Sequence, residues 1–313
     1  MRLSLSTNWF RSPDMEAAEI VDRALAMGFE ELELGFATPQ DVGEGFKRIA
    51  GRIRIGSVHA FCPIPLSAPV ASPELYPLAS LDPEERALAR FHLLRSAKFA
   101  AEVGADAVVL HAGRVPLATL FHRDMGTDVL RGTLIDNSKD VNAKPYAKML
   151  DKALAVRRKR GARLLDVFKK ELEGVFPRLR ELGVTLALEN LPYLEGFPDE
   201  EEMLALLTEF GDAPLKAWFD TGHHRVREMH GWLRPAALDA LEKTQKGGHV
   251  AGMHLNDVTD LYDDHFAPGF GKVDFAALAP LAKSVPHVVF EPKSHVDEPS
   301  LRKGIALIRK VFL

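Results

Sequence analysis

The chain has 313 residues, of which 46% are hydrophobic and 27% are charged, and its formal net charge is −4. This composition is typical of a soluble globular protein, and a chain of this length can bury about three quarters of its unfolded surface. The acidic balance provides no general attraction to nucleic acid or to anionic membranes. A single cysteine, Cys62, excludes an intrachain disulfide. Because no segment resembles a signal peptide or a membrane span, we expect a cytoplasmic protein.

Short apolar runs recur along the chain, and each is followed by a longer amphipathic or charged segment. Such runs are typical of strands, and the segments between them are typical of helices. The sequence predicts eight strands, over residues 2–6, 31–34, 53–59, 107–111, 184–189, 216–220, 250–254 and 287–291.

Helix signals lie between the predicted strands. One predicted helix begins at Asp14 and ends at Gly28. The next has Asp82 as its N-cap, Pro83 as its first residue and Gly104 as its C-cap. Later helices are predicted over RLLDVFKKELEGVFPRLRELG, DEEEMLALLTEFG, RPAALDALEKTQ, DFAALAPLAKS and EPSLRKGIALIRKVF.

The succession of eight strand–helix units predicts an α/β fold, a (β/α)8 TIM barrel that forms a single domain over residues 1–313. The sequence has no GxGxxG after its first strand and no GxxxxGK[ST], which disfavours a dinucleotide-binding sheet.

The interval between the fourth and fifth predicted strands is about twice that of an ordinary barrel unit. We therefore expect an insertion over residues 114–160. Its polar first part is followed by a basic helical segment, AKMLDKALAVRRKRGAR. The basic side chains of residues 157–160 either contact phosphate or form a solvated helix end.

Imidazoles and carboxylates cluster at the carboxyl ends of the predicted strands. In a (β/α)8 barrel these ends share one rim, which carries the catalytic groups. Carboxylates that converge on a half-buried site need a counter-charge, and no Lys or Arg ends any of these strands. A mixed set of imidazoles and carboxylates suits a divalent ion such as Mn²⁺, Co²⁺, Mg²⁺ or Zn²⁺. The candidates are His59, His111, Glu189, Asp220, His223, His254, Asp263, His265 and Glu291.

Each of these residues alone has a simpler interpretation. A single His at a strand end is more often a hydrogen-bonded structural residue, and a single carboxylate there is commonly a helix cap. The joint pattern favours a metal site, because six consecutive strands deliver such groups to the same rim.

The motifs HAFCP, VVLHAG, LALEN, FDTGHH, MHLND, DDHFAPGFG and FEP occur in this order along the chain. This series resembles the xylose isomerase-like barrel superfamily, which includes sugar isomerases and epimerases and also endonuclease IV. The resemblance extends from the first strand to Glu291. It implies one metal ion held by Glu189, Asp220, His254 and Glu291.

The isomerase and epimerase branch of the superfamily implies that Glu189 and Glu291 are both metal ligands and the catalytic acid–base pair. The chemistry is removal of a proton next to the carbonyl of a sugar or sugar-like substrate, with the metal stabilising charge on oxygen. In this branch, His223 and His265 bind substrate oxygens.

The endonuclease IV branch implies a three-zinc centre that hydrolyses phosphodiesters at abasic DNA, and nucleic acid is a partner only in that case. All nine residues of its ligand pattern are present among the candidates. The basic segment 157–160 favours this branch. The acidic net charge, the sequence LENLPYLEGFP and the motif FEPKS, where the endonuclease usually has Glu-Thr-Pro, favour the sugar branch.

Two other functions stay open. A dehydratase or lyase uses the same proton abstraction, and a metal-dependent binding protein needs the ligands without the catalysis. An oligomer is also compatible with the sequence.

Several residues near the predicted ligands receive lesser assignments. Asn8 and Glu33 are expected to line the pocket, and Cys62 to be a small buried residue. His92 and His122 are expected to face solvent. His224 is expected to be a structural neighbour of the site. The aromatic candidates for contact with a sugar are Trp9, Phe10, Phe61, Trp218, Phe266 and Phe270.

Overall fold

The computed structural model describes residues 2–10, 15–49, 51–118 and 124–312. Its strands are β1 (Leu3–Ser6), β2 (Glu31–Leu34), β3 (Arg54–His59), β4 (Ala107–Leu110), β5 (Gly113–Arg114), β6 (Thr185–Glu189), β7 (Gly196–Phe197), β8 (Leu215–Asp220), β9 (Val250–Leu255) and β10 (His287–Phe290). Eight of these strands close into a parallel barrel in the order β1, β10, β9, β8, β6, β4, β3, β2. The predicted (β/α)8 fold is confirmed, and every predicted barrel strand agrees with the structure to within one residue at each end.

The helices pack around the outside of the barrel. They are α1 (Ala17–Met27), α2 (Gln40–Arg48), α3 (Pro83–Val103), α4 (Thr127–Asp136), α5 (Lys144–Leu182), α6 (Glu200–Glu209), α7 (Thr221–Met229), α8 (Pro235–Lys246), α9 (Phe275–Ser284) and α10 (Glu298–Phe312). Among the described helices, none has both the length and the apolar character required to cross a bilayer.

The helix ends follow the local signals in the sequence. The Asp82 carboxylate accepts the backbone N–H of Glu84 at the start of α3. Gly28 and Gly104 end α1 and α3 with φ angles of 88° and 77°, in the left-handed region that glycine enters at low cost. The predicted helix start at Asp14 lies outside the described residues.

The long interval between β4 and β6 contains β5, α4 and the 39-residue helix α5. The predicted basic helical segment and the predicted helix that follows it form one continuous helix, α5. Gly161, where helix propensity is low, stays helical and packs against Arg157 and Glu202. The assignment of residues 114–160 as an insertion stays a prediction.

Arg157 is not part of an exposed basic patch. Its side chain is 3% exposed, and its guanidinium lies 2.6 Å from Asp199 and 2.8 Å from Glu202. Arg160 donates to the backbone carbonyl of Pro116. The structure therefore removes Arg157 from the cations that could contact a phosphate.

The inside of the barrel is filled by small and β-branched residues around Trp218, which is 1% exposed. Gly252, on the neighbouring strand β9, leaves the space that the indole occupies. A Cβ at position 252 would overlap Cζ3 of Trp218 and lie 2.9 Å from Cβ of His287. The glycine is therefore required by close packing at this layer of the barrel.

We expect Gly252→Ala to lower the free energy of unfolding by about 1–3 kcal/mol, because it overpacks a closed layer of side chains. Gly174→Ala, in α5, is the matched control, since no heavy atom lies within 4 Å of its added Cβ. That control should stabilise the helix by about 0.5–1 kcal/mol. Chemical denaturation of both variants measures the difference, and equal stabilities would contradict the packing argument.

Charged side chains close the amino end of the barrel. Nδ1 of His287 lies 3.3 Å from Glu31, and its Nε2 lies 2.7 Å from Asp106. Arg54 lies 2.7 Å from Glu31 and 2.9 Å from Asp106. Burial lowers the pKa of His287, but Asp106 and Glu31 raise it by more, to about 9. The protonated imidazole is thus the favoured form in the folded chain.

A raised folded-state pKa means that His287 stabilises the fold fully below its unfolded pKa of about 6.5, and that this contribution is lost as pH rises through about 9. Asp106 is 53% exposed, and solvent weakens its interaction with His287. We therefore expect the free energy of unfolding to fall by only about 1–2 kcal/mol between pH 6.5 and 9.5. Thermal unfolding of the wild type and of His287→Gln across this range checks it. The variant should show a shallower decline, and parallel curves would refute the assignment.

Candidate functional site

The structure brings all nine predicted ligands together at the carboxyl ends of the barrel strands. They form three clusters in which one donor atom per residue lies within 4.8 Å of the others. The clusters are His59, His111 and Glu189; Glu189, Asp220, His254 and Glu291; and His223, Asp263 and His265. We name them the first cluster, the tetrad and the third cluster.

The tetrad is centred on Nδ1 of His254. This nitrogen lies 3.2 Å from Oε1 of Glu189 and 3.2 Å from Oε2 of Glu291. It lies 3.8 Å from Oδ2 of Asp220. Three carboxylates and one imidazole, each at most 6% exposed, therefore point at one small volume.

The first cluster uses the other oxygen of Glu189. Oε2 of Glu189 lies 3.2 Å from Nε2 of His59 and 3.1 Å from Nε2 of His111. Glu189, at the end of β6, thus belongs to two clusters through its two oxygens.

The third cluster lies on the loop after β9 and the start of α7. Nε2 of His265 is 3.0 Å from Oδ2 of Asp263, and Nε2 of His223 is 3.6 Å from Oδ1 of the same carboxylate. Lys293, two residues after Glu291, lies beside this cluster with its ammonium 3.5 Å from Oδ2 of Asp263. Lys293 belongs to the motif FEPKS and follows the strand, so it is not among the residues that end a strand.

The charges of the site depend on one another. Burial lowers the pKa of His223, but Asp220 and Asp263 raise it by more, to about 10. Burial likewise lowers the pKa of His111, and Glu189 and Glu74 raise it to about 9. Protonated imidazoles thus balance the negative charge of the carboxylates in the site. A divalent cation that binds here must displace these protons, so metal affinity falls as pH falls.

Four of the five site histidines are held by an acceptor on the nitrogen that faces away from their cluster. Nδ1 of His59 lies 2.9 Å from the carbonyl of Ala60, Nδ1 of His223 lies 2.8 Å from that of Asn190, and Nδ1 of His265 lies 2.7 Å from that of Glu291. For His254 the outer nitrogen is Nε2, which lies 3.1 Å from both carboxylate oxygens of Glu33. Such contacts fix the tautomer and the ring orientation of a metal-binding histidine.

Asp220 is oriented by two asparagines. Nδ2 of Asn256 donates to Oδ2 of Asp220 at 2.6 Å, and Oδ1 of Asn190 accepts the backbone N–H of Asp220 at 2.7 Å. Oδ1 of Asp220 also accepts the backbone N–H of His223 at 2.6 Å, as the N-cap of α7. The carboxylate is therefore both a helix cap and a member of the tetrad.

The loop that carries Asp263 and His265 is shaped by Asp257, a fully buried carboxylate. It accepts the backbone N–H groups of Gly269, Gly271 and Val273 at 2.8–3.0 Å. Since these bonds close the loop on its own first residues, the third cluster is placed by a rigid turn.

A cavity of about 280 Å³ opens over the three clusters. Seven of the nine predicted residues line it, while Asp220 and His254 lie beneath its floor. Asn8 lines the cavity as predicted, and its side-chain amide donates to Oε1 of Glu291 at 3.4 Å. Glu33 does not line it, because it is buried behind His254, where it also accepts the hydroxyl of Ser57.

Other predictions near the site have mixed outcomes. The aromatic rings that line the cavity are Phe36 and Tyr193, and none of the six predicted aromatic residues is among the lining side chains. Cys62 is buried, as predicted. The prediction that His92 faces solvent is wrong, because it is 5% exposed and stacks on Tyr76 at 4.4 Å. His122 lies outside the described residues.

The donor sets fit divalent metal ions. Oxygen and imidazole donors in nearly equal numbers suit Mn²⁺, Co²⁺ or Zn²⁺, and the carboxylates alone suit Mg²⁺. Oδ1 of Asp263 is buried and has no hydrogen-bond partner within the described part of the chain. An unpartnered carboxylate oxygen that faces the imidazole of His223 is available to an ion.

Sequence reasoning missed three residues that orient the ligands or their loop, and it gave a fourth, Glu33, a different role. Glu33, Asn190 and Asn256 contact the side chain or the backbone of a ligand. Asp257 instead shapes the loop that carries Asp263 and His265. The polar residues directly after Glu189 and His254 in LALEN and MHLND are the signal that could have identified three of them.

The orientation of Asp220 can be tested at Gly222. A Cβ at this position would overlap Oδ1 of Asn256, so Gly222→Ala should push the amide away from Asp220. We expect metal affinity at the tetrad to fall by about 10–100-fold, as is typical when a ligand loses its orienting partner. Titration with Mn²⁺ or Zn²⁺ measures this. Gly211→Ala is the control, since its added Cβ meets only atoms 3.9 Å away, and unchanged affinity in Gly222→Ala would reject this role of Asn256.

Solved structures share the fold of this chain. No curated protein shows significant sequence similarity to this chain. A D-tagatose 3-epimerase-like protein superposes with a TM-score of 0.67 and 16% identity, over 99% of this chain and 97% of that one. D-psicose 3-epimerase, in the presence of D-fructose, superposes with a TM-score of 0.66 and 14% identity, over 100% of this chain and 99% of that one.

Endonuclease IV from Thermus thermophilus superposes with a TM-score of 0.57 and 19% identity, over 99% of this chain and 98% of that one. Structural similarity at these identities shows a shared fold. The sequence model of the xylose isomerase-like TIM barrel family matches residues 21–311. The chain therefore belongs to the xylose isomerase-like TIM barrel family.

Proposed function

We propose that this protein is a divalent-metal-dependent isomerase or epimerase of a sugar or sugar-like substrate. The observation that carries the proposal is the buried tetrad, in which Glu189 and Glu291 approach the same nitrogen of His254 at 3.2 Å each. Two carboxylates at one point on the floor of a small cavity can act on one carbon of a bound substrate. The sugar epimerases among the structural neighbours support the same choice.

The tetrad residues Glu189, Asp220, His254 and Glu291 would hold the catalytic ion, which is Mn²⁺, Co²⁺, Mg²⁺ or Zn²⁺. When bound, such an ion stabilises negative charge on the substrate oxygen next to the reacting carbon. The buried position of the tetrad excludes bulk water, which strengthens this electrostatic effect.

Glu189 and Glu291 carry the proton transfers. One carboxylate removes the proton from the carbon next to the carbonyl, and the other returns a proton to the opposite face or to the neighbouring carbon. Return to the opposite face gives an epimer, and return to the neighbouring carbon gives an isomer. Asn8 holds Glu291 from the side of β1 and so fixes the direction of one carboxylate.

The cavity suits one small polar molecule. Its volume of about 280 Å³ and its histidine and carboxylate lining favour a monosaccharide or a polyol-like substrate. His223 and His265 face the cavity and are placed to bind substrate oxygens. Phe36 and Tyr193 offer apolar faces for the carbon skeleton. We also propose a role in carbohydrate metabolism and a cytoplasmic location.

Hydrolysis of phosphodiesters by a three-metal centre is the second candidate. The observation in its favour is that all nine ligands fall into three clusters around one cavity. Two contacts weigh against it. Arg157 is buried in ion pairs, and Lys293 approaches Asp263 in the third cluster. Duplex DNA binding needs several exposed cations, whereas Arg114 and Lys293, the two cations that line the cavity, both contact carboxylates.

Glu189→Gln and Glu291→Gln test the proposed chemistry. Each variant loses a base and a ligand charge, so we expect turnover to fall by at least about 10²-fold. The reaction is followed by NMR in D₂O with a panel of ketoses, where deuterium enters at the carbon that receives the returned proton. Glu31→Gln, a similarly buried carboxylate at the opposite end of the barrel, is the control and should retain turnover.

Metal content separates the two candidates. About one ion per active chain, together with deuterium exchange in a ketose, supports the isomerase or epimerase. Three zinc ions and cleavage of an abasic-site duplex, without exchange in any sugar, would overturn it in favour of the hydrolase.

A further inference from the structure

His111 differs from the other site histidines. The other four each have an acceptor at 2.7–3.1 Å from the nitrogen that faces away from the cluster. Nδ1 of His111 is buried and has no hydrogen-bond partner among the described residues. The group that faces it is the carboxylate of Glu74, with Oε1 at 3.7 Å. This distance is longer than a hydrogen bond.

Glu74 is aimed at His111 by Arg114. The guanidinium of Arg114 holds Oε2 of Glu74 at 2.8 Å through Nε and at 2.7 Å through Nη2, which leaves Oε1 on the side of the imidazole. Arg114 in turn lies 3.5 Å from the centre of the Tyr193 ring. Its backbone pairs with Gly196 in the β5–β7 ribbon. Arg114, fixed by these contacts, therefore holds the carboxylate of Glu74 in place.

A neutral histidine that binds a metal through Nε2 carries its proton on Nδ1 and needs an acceptor there. We propose that Glu74 is the positioning residue for His111, accepting its Nδ1–H when a metal ion occupies the first cluster. The inference concerns the first cluster, which shares Glu189 with the tetrad of the proposed function, and it does not depend on the substrate.

The required movement is small. A shift of about 0.7 Å brings Oε1 of Glu74 to hydrogen-bond distance from Nδ1. Glu74 lies in residues 60–82, a segment of turns and bends between β3 and α3. A connecting segment of this kind moves at lower cost than a barrel strand, so the acceptor can adjust to the ligand.

Glu74 and Arg114 also line both the site cavity and a neighbouring groove. Binding of an ion at the first cluster would therefore fix the wall between the two spaces. This wall contributes to the shape of the substrate pocket, although neither residue belongs to a metal cluster.

The test is a double-mutant cycle on metal binding. Wild type, Glu74→Ala, His111→Ala and the double variant are titrated with Co²⁺, and the visible absorption of bound cobalt and the ion content after dialysis are measured. Glu195→Gln is the matched control, because Glu195 lies 3.7 Å from Arg114 but supports no site histidine. Glu74→Gln tests rescue, since its amide oxygen still accepts a hydrogen bond.

We expect Glu74→Ala to weaken cobalt binding at the first cluster by about 10–100-fold and to change its spectrum. Glu74→Gln should recover part of the affinity, Glu195→Gln should match wild type, and Glu74→Ala should have no further effect in His111→Ala. Wild-type affinity in Glu74→Ala overturns the proposal. So does an equal loss in the His111→Ala background, or the finding that His111→Ala leaves cobalt binding unchanged. If Glu74 and His111 are coupled in cobalt binding but no sugar is turned over, the proposed function is rejected and this inference is kept.

Discussion

Glu189 presents its two carboxylate oxygens to two different groups of side chains at the centre of the site. Oε1 approaches His254 in the tetrad, and Oε2 approaches His59 and His111 in the first cluster. The residue is 1% exposed, so its charge has to be balanced by neighbours instead of water. Burial raises the pKa of Glu189, but His254 and His111 hold it well below its usual range. The imidazoles around it therefore keep this buried carboxylate ionised.

The position of the site could be predicted from the sequence, because two periodic features coincide. Apolar runs mark the strands, and the first polar residue after each run marks the rim of the barrel. His59, Glu189 and Asp220 each end a strand in the structure. The carboxyl ends of parallel strands in a closed barrel all lie at the same rim. The helix ends at Gly28 and Gly104 could also be predicted, because glycine is the usual residue after the last turn of a helix.

Features that depend on contacts between distant segments could not be predicted in this way. Glu33 supports His254 across 221 positions of sequence, and nothing in its own strand distinguishes it from a residue that lines the pocket. His92 sits on a helix with a mixed pattern, and its burial depends on Tyr76, which approaches from an irregular segment. The continuity of α5 depends on the packing of Gly161, where propensity alone favours a break. In each case the tertiary contact, and not the local sequence, determines the environment.

The sharing of Glu189 has a consequence for how the site fills. Two cations bound to the opposite oxygens of one carboxylate are close enough to repel each other strongly in a buried environment. An ion held in one cluster would therefore lower the affinity of the other cluster for a second ion. The ion that bound first would set the electric field over the cavity that both clusters face.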